Sequence, residues 1–267
     1  MANAKAYAKA YAKAHVYEIL QAKAAYRGLL AVVVVVLLAG VTAPAYGQQF
    51  NSDNWWVLPA GTGMGIQTFG QRYSTTYLGF GFTKGWEVDF APTTYREDPV
   101  AGTASHYSTT GYVKALFWEN EKQTAGVSGM FGVGQSPGYY QAGTRIDKSN
   151  SYWASFPLTV PFIDNAVSWD IMPGIVYNND YGVNKTTSTG YTYSTRVNIY
   201  KIIPQSAIVG EVFGATGEAR AEAQYKAGVR WESKYVVAAL TYGDTVNRRH
   251  KGAGWEIGIM VFTIPYF

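Results

Sequence analysis

The sequence predicts an all-β protein: a transmembrane, antiparallel, up-and-down β-barrel, most simply of twelve strands, with ten or fourteen as alternatives. Three observations predict it. From Gln48 onward the chain shows no helical period, while apolar and polar residues alternate at a spacing of two again and again. The connections between these segments are alternately tight and long. An apolar leader precedes the whole.

The leader comes first. Leu29 to Val41 reads LLAVVVVVLLAGV, bounded by Arg27 and by Thr42-Ala43-Pro44-Ala45. A membrane-spanning helix needs roughly 20 apolar residues, and this run is shorter. Basic residues before it and small ones after it are the pattern of a secretory signal peptide. Residues 1–45 are therefore read as a signal peptide with an extended n-region, and 46–267 as the barrel. Cleavage is expected after Ala45, or alternatively after Gly47. The Ala/Lys/Tyr repeat from Lys5 to Lys13 belongs to the n-region and lies outside the mature fold.

The strands are expected at about 62–71, 74–83, 86–95, 108–118, 123–134, 149–160, 166–178, 190–202, 207–214, 218–231, 235–243 and 254–267. The clearest is the tenth. Ala219, Ala221, Ala223, Tyr225, Ala227, Val229 and Trp231 share one face; Arg220, Glu222, Gln224, Lys226, Gly228 and Arg230 share the other. Successive strand side chains point to opposite sides, so this segment makes one apolar and one charged wall. A helix would scatter the same charges around its cylinder. Trp86, Val88 and Phe90 oppose Glu87 and Asp89 in the same way. Val167, Trp169, Ile171 and Ile175 oppose Ser168, Asp170 and Met172. The weakest pattern is 207–214.

Tight connections are expected at Lys84-Gly85, Glu119–Lys122, Pro161–Asn165, Ile203–Ser206 and Glu232–Lys234. Longer, polar ones are expected at Arg96–Tyr107, Gln135–Lys148, Asn179–Thr189 and Asp244–Ala253, with 70–74 and 214–218 as short exceptions. Turns on the periplasmic side and loops outside are the rhythm of an outer-membrane barrel. Closure also gives every backbone group a partner where hydrocarbon offers none. Trp55, Trp56, Trp86, Trp118, Trp231 and Trp255 fall near proposed strand ends, as a periplasmic aromatic girdle would require.

Composition agrees and excludes. Aromatics make up 16% of the chain, with 22 Tyr and 8 Trp, and there are 29 Gly. With no cysteine, disulfides, thiolate metal sites and a cysteine nucleophile are ruled out. The net charge of +4 comes from the leader, which carries Lys5, Lys9, Lys13, Lys23 and Arg27 against Glu18. Beyond Ala45, 17 basic and 17 acidic residues remain, and no basic patch for nucleic acid survives. No metal site or cofactor is expected. Ser105-His106 lacks a positioned third group, so no enzyme is expected. The glycines at 126, 129, 132 and 134 lack the Lys-Ser/Thr of a phosphate loop and are read as curvature or room in the lumen. Arg248-Arg249-His250-Lys251 is read as a solvated outer-loop cluster.

The lumen-lining candidates are Glu87, Asp89, Lys114, Asp170, Arg196, Arg220, Glu222, Lys226, Arg230 and Glu256, with Glu211 on the same face of its strand. A basic residue facing mid-bilayer lipid costs about 2–4 kcal/mol, which drives such residues inward. Both signs occur, so no strong ion preference is expected.

Phe267, with Ile259 and Val261 at alternate positions and Thr263 and Pro265 as imperfect members, resembles the C-terminal signature read by the outer-membrane assembly machinery. Leu58-Pro59-Ala60-Gly61, Gly85-Trp86-Glu87-Val88 and Trp255-Glu256-Ile257-Gly258 resemble the outer-membrane transporter family linked to phenol degradation. That resemblance implies uptake of aromatic or other small molecules and carries no functional residue across. The expected function is passage of small solutes through a narrow charged lumen. The alternative is a non-conducting surface or structural protein that binds a partner or polymer through its outer loops. Expected surroundings are outer-membrane lipid and lipopolysaccharide.

Overall fold

The computed structural model describes residues 52–95, 107–135, 139–141, 144–146, 149–180, 187–219, 221–247 and 253–266. Both proposed signal-peptide cleavage sites, Ser105-His106, Arg220, the Arg248–Lys251 cluster and Phe267 lie outside them.

The described strands are β1 (Gly63–Gly70), β2 (Tyr73–Thr83), β3 (Trp86–Tyr95), β4 (Tyr107–Glu119), β5 (Gly126–Gln135), β6 (Tyr139–Gln141), β7 (Thr144–Ile146), β8 (Ser149–Ser155), β9 (Leu158–Phe162), β10 (Val167–Asp180), β11 (Thr187–Tyr200), β12 (Ser206–Gly217), β13 (Ala221–Glu232), β14 (Val236–Thr245) and β15 (Gly254–Phe262). Among the described residues there is no helix. β8 and β9 are two halves of one wall strand, interrupted at Phe156-Pro157, and both pair with β5 and β10. With those halves joined, each wall strand pairs antiparallel with the next, and β1 pairs with β15 to close a ring of twelve. Closure removes the open edge that hydrocarbon would not tolerate.

Proline causes the interruption. Pro157 has no N–H to give the ladder. The chain steps around it: Phe156 donates to the Pro173 carbonyl at 2.9 Å, and Pro157 accepts from Ser128 N–H at 2.9 Å. Other departures from the sequence pattern sit at strand ends. β12 runs to Gly217, well past the expected 214, because Thr216 and Gly217 extend the ladder with Tyr191 and Gly190. The loop after β5 carries a small hairpin, β6–β7, that its polar composition does not signal. β15 stops at Phe262, short of the expected 267. Thr263 and Tyr266 donate instead to Gly63 and Gly61 carbonyls, 2.9 Å each, beyond the last rung.

Alternation sorts the two faces. Phe69, Leu78, Val88, Phe90, Phe131, Val133, Ile175, Val229, Leu240, Ile257 and Ile259 are exposed on the outside. An aqueous surface does not carry an apolar area this continuous, whereas a bilayer requires it. The inner face is charged and buried. This is the fold of an outer-membrane β-barrel.

The aromatic girdle needs correction. Trp86 and Trp118 are exposed near the short-turn end, and Trp169 joins them beside Phe162. Trp231 is half-buried near the same end. Trp255 begins a strand that enters from a long loop, so it stands at the opposite end, edge-on to Tyr242. Trp55 and Trp56 belong to neither rim, because residues 52–60 turn inward.

Candidate functional site: the barrel lumen

The lumen wall is built by strand parity. Glu87 and Asp89 on β3, Lys114 on β4, Asp170 on β10, Arg196 on β11, Glu211 on β12, Lys226 and Arg230 on β13 and Glu256 on β15 are all buried. Glu222 is half-buried near the long-loop end of β13.

The structure gathers most of these into three groups. In the first, Lys114 Nζ lies 2.9 Å from Asp53 and 3.8 Å from Glu87, with Asp89 two residues along the same face. Gly79 makes room there, since a Cβ at that position would stand 2.6 Å from the Asp89 carboxylate. In the second, Asp170 accepts from Arg196 Nε at 2.8 Å, Asn198 Nδ2 at 2.9 Å and Thr159 Oγ1 at 2.6 Å. Its charge is thus both paired and hydrogen-bonded, the condition under which a buried ion is tolerated. In the third, Lys226 meets Glu256 at 2.7 Å nearer the long-loop end. Arg230 stands apart, near the short-turn end, bridging to Glu232 and donating to the Tyr200 hydroxyl at 3.1 Å.

Sequence reasoning missed what these groups hold. Residues 52–60 lie inside the barrel, without strand structure, crossing between opposite walls. Ser52 N–H donates to Glu211 Oε2 at 2.9 Å, its carbonyl accepts from Arg196 Nη1 at 2.6 Å, and its hydroxyl contacts that of Ser194. Asp53 reaches Lys114, which also donates to the Trp56 carbonyl at 2.6 Å. Trp55 N–H points at Thr159 Oγ1, 3.4 Å away. Leu58 N–H donates to Glu87 Oε2 at 2.6 Å. Four of the wall charges, Glu87, Lys114, Arg196 and Glu211, thus grip this segment, mostly by its backbone.

Two glycines shape the fit. A Cβ on Gly126 would stand 2.5 Å from the Trp55 ring, so only glycine leaves that seat open. Gly132 likewise clears space for Trp153 and Tyr112. At its base the segment is apolar: Leu58 packs with Met64, Ile66, Val237 and Met260, and Trp56 lies edge-on to Phe262. Gly61, at φ 76°, turns the chain toward β1 and donates to the Gly81 carbonyl at 2.7 Å.

The inward segment has a cavity on each side. The chamber toward the long loops, about 440 Å³, is lined by Tyr73, Tyr77, Tyr112, Trp153, Lys226 and Glu256, with Asp53 in its floor. Tyr77 and Tyr112 hydroxyls are hydrogen-bonded to each other. The chamber toward the short turns, about 370 Å³, is lined by Asp170, Arg196, Asn198, Tyr200 and Arg230, with Asn54 and Trp55 in its roof. Tyr77 and Tyr112 were legible by parity, since Tyr112 shares a face with Lys114. Asp53 carried no such signal, because it precedes the first strand.

Among the described residues, no cluster of three metal-ligating side chains occurs. No family model and no curated protein matches the sequence. Solved structures do. The KdgM porin, solved in complex with disordered oligogalacturonate, superposes with a TM-score of 0.50 at 10% identity, over 75% of this chain and 98% of that one. An outer membrane channel from Pseudomonas putida F1 gives a TM-score of 0.50 at 9% identity, over 82% of this chain and 99% of that one. At such identities the likeness establishes one thing, that this chain has the outer-membrane β-barrel fold.

Proposed function

We propose that the barrel gives passage to small solutes across the outer membrane through its narrow, charged lumen. The observation that carries this reading is the pair of chambers, lined by aromatic, apolar and charged side chains, stacked on either side of residues 52–60. Small eight-stranded barrels fill with their own side chains, and wider ones keep space for ligands or channels. Four rings and a neighbouring ion pair in the larger chamber suit a small amphipathic solute, in keeping with the resemblance to transporters of aromatic molecules. Phe267 serves assembly in this reading, and the apolar exterior meets lipid and lipopolysaccharide.

Seven buried carboxylates (Asp53, Glu87, Asp89, Asp170, Glu211, Asp244 and Glu256) stand against four buried bases (Lys114, Arg196, Lys226 and Arg230) among the described residues. The imbalance is small, so ion selectivity is weak and leans toward cations. A reversal potential under a salt gradient reads this directly: strong anion preference contradicts it.

Planar-bilayer recording with liposome swelling tests the passage itself. Conductance and swelling with small solutes are expected, and neither would appear if the barrel were inert. A second reading, a non-conducting surface protein that binds through its outer loops, is favoured by one observation: residues 52–60 stand across the lumen. Loss of partner capture on loop deletion, with no conductance under any condition, is its signature.

A further inference from the structure

We propose that Ser52–Trp56 is a gate arm, hinged at Leu58–Gly61, and that solute passes when the arm leaves its seat. This rests on the reading of the lumen as a solute passage.

The first argument is position. Asp53 belongs to one chamber and Asn54 and Trp55 to the other, so withdrawing five residues joins the two cavities.

The second argument is how the arm is held. It makes no ladder with any strand. Its hydrogen bonds run to wall side chains, Ser52 to Glu211, Arg196 and Ser194, and Asp53 and the Trp56 carbonyl to Lys114, beside the Trp55 ring seated at Gly126 and the Trp56 ring on Phe262. Water in an opened lumen can replace each of these bonds. The hinge is held differently, by Leu58 in its apolar cluster and by Gly81 closing on Leu58 and Pro59, where a Cβ would come within 2.3 Å of the Pro59 carbonyl. The hinge's close backbone packing persists while the arm's hydrogen bonds exchange with water.

The third argument concerns what the arm leaves behind. Stripping a partner from a buried charge is normally prohibitive. Here the cations that hold the arm have second partners in the wall itself: Lys114 retains Glu87 and Arg196 retains Asp170. Glu211 sits opposite Arg196 on one side and Lys226 on the other in the strand register. The wall's charges therefore stay compensated whether the arm is in or out, as a two-state element requires.

The chain contains no cysteine, so a designed pair is unique. Ser52 and Ser194 are in hydroxyl contact, and Ser52→Cys with Ser194→Cys in the full chain is the direct test, recorded in planar bilayers. The disulfide is expected to form, to silence the channel when oxidised, and to release wild-type openings on reduction. A second variant lacking residues 52–56 is expected to stay open, with time-averaged conductance raised at least tenfold. Failure of the cross-link to form, or equal activity oxidised and reduced beside a conducting wild type, overturns the gate. A permanently silent wild type beside a conducting deletion makes the arm a fixed plug, which also overturns it. Equal conductance of wild type and deletion overturns the gate while leaving the passage intact. A folded deletion variant that passes neither current nor solute overturns instead the passage on which the gate rests.

Discussion

The wall and the segment it encloses are built on opposite principles. Each wall strand is fixed twice, by the ladder to both neighbours and by an alternation that puts Val229 or Leu240 toward lipid and Arg230 or Thr241 inward. Slipping one residue would turn every side chain to the wrong face. Residues 52–56 have neither ladder nor alternation, and are held by hydrogen bonds from wall side chains and by the seating of two tryptophan rings. The difference teaches where stability resides and where movement can occur. Perturbing the wall should unfold the barrel; perturbing the arm should change what passes through it.

The largest effect expected is from breaking a wall charge cluster. Asp170→Ala takes from Arg196 the carboxylate that accepts from its Nε and strips bonds from Asn198 and Thr159. A loss of about 3–5 kcal/mol is expected, read as the urea midpoint for unfolding from liposomes. Next is the lipid face: Leu240→Arg should cost about 2–4 kcal/mol, whereas an equally large loss from Leu240→Ile would show that packing rather than hydrocarbon sets the face. Smaller again is Asp53→Asn. Lys114 keeps Glu87, so barrel stability should fall by only about 1 kcal/mol, while the same energy directed at the arm raises open probability about fivefold. A loss as large as that of Asp170→Ala would mean that the arm is part of the wall's foundation. The smallest is Glu222→Gln, half-buried near the long-loop end, where a change of about 0.5 kcal/mol or less is expected together with a slight drop in cation preference.

How much of this the sequence disclosed follows the same division. Alternation is a local property, so β13 and β3 could be read from their own residues, and the twelve wall strands emerge from it. The break at Phe156-Pro157 was signalled only by one proline and fell inside a segment read as continuous. The arm was invisible for a physical reason. Ser52, Asp53 and Trp55 owe their places to Glu211, Lys114 and Gly126, between 61 and 159 positions away for the two bonded pairs, and no short window joins them. Trp55-Trp56 beside a first strand reads as a membrane-interface pair; only an inward glycine on β5 with an empty seat before it distinguishes the two. Glycine spacing at 126 and 132 did hint at room in the lumen, without saying whose ring would fill it.

That tryptophan gives the most direct test of the account. Comparing wild type with Trp55→Phe in liposomes isolates the emission of Trp55, and lipids brominated along their acyl chains quench rings that touch hydrocarbon. Trp55 inside the lumen predicts a difference spectrum that brominated lipid leaves unquenched, while the Trp86→Phe difference is strongly quenched. Equal quenching of the two would place Trp55 in the outer girdle, and with it would fall both the enclosed segment and the gate.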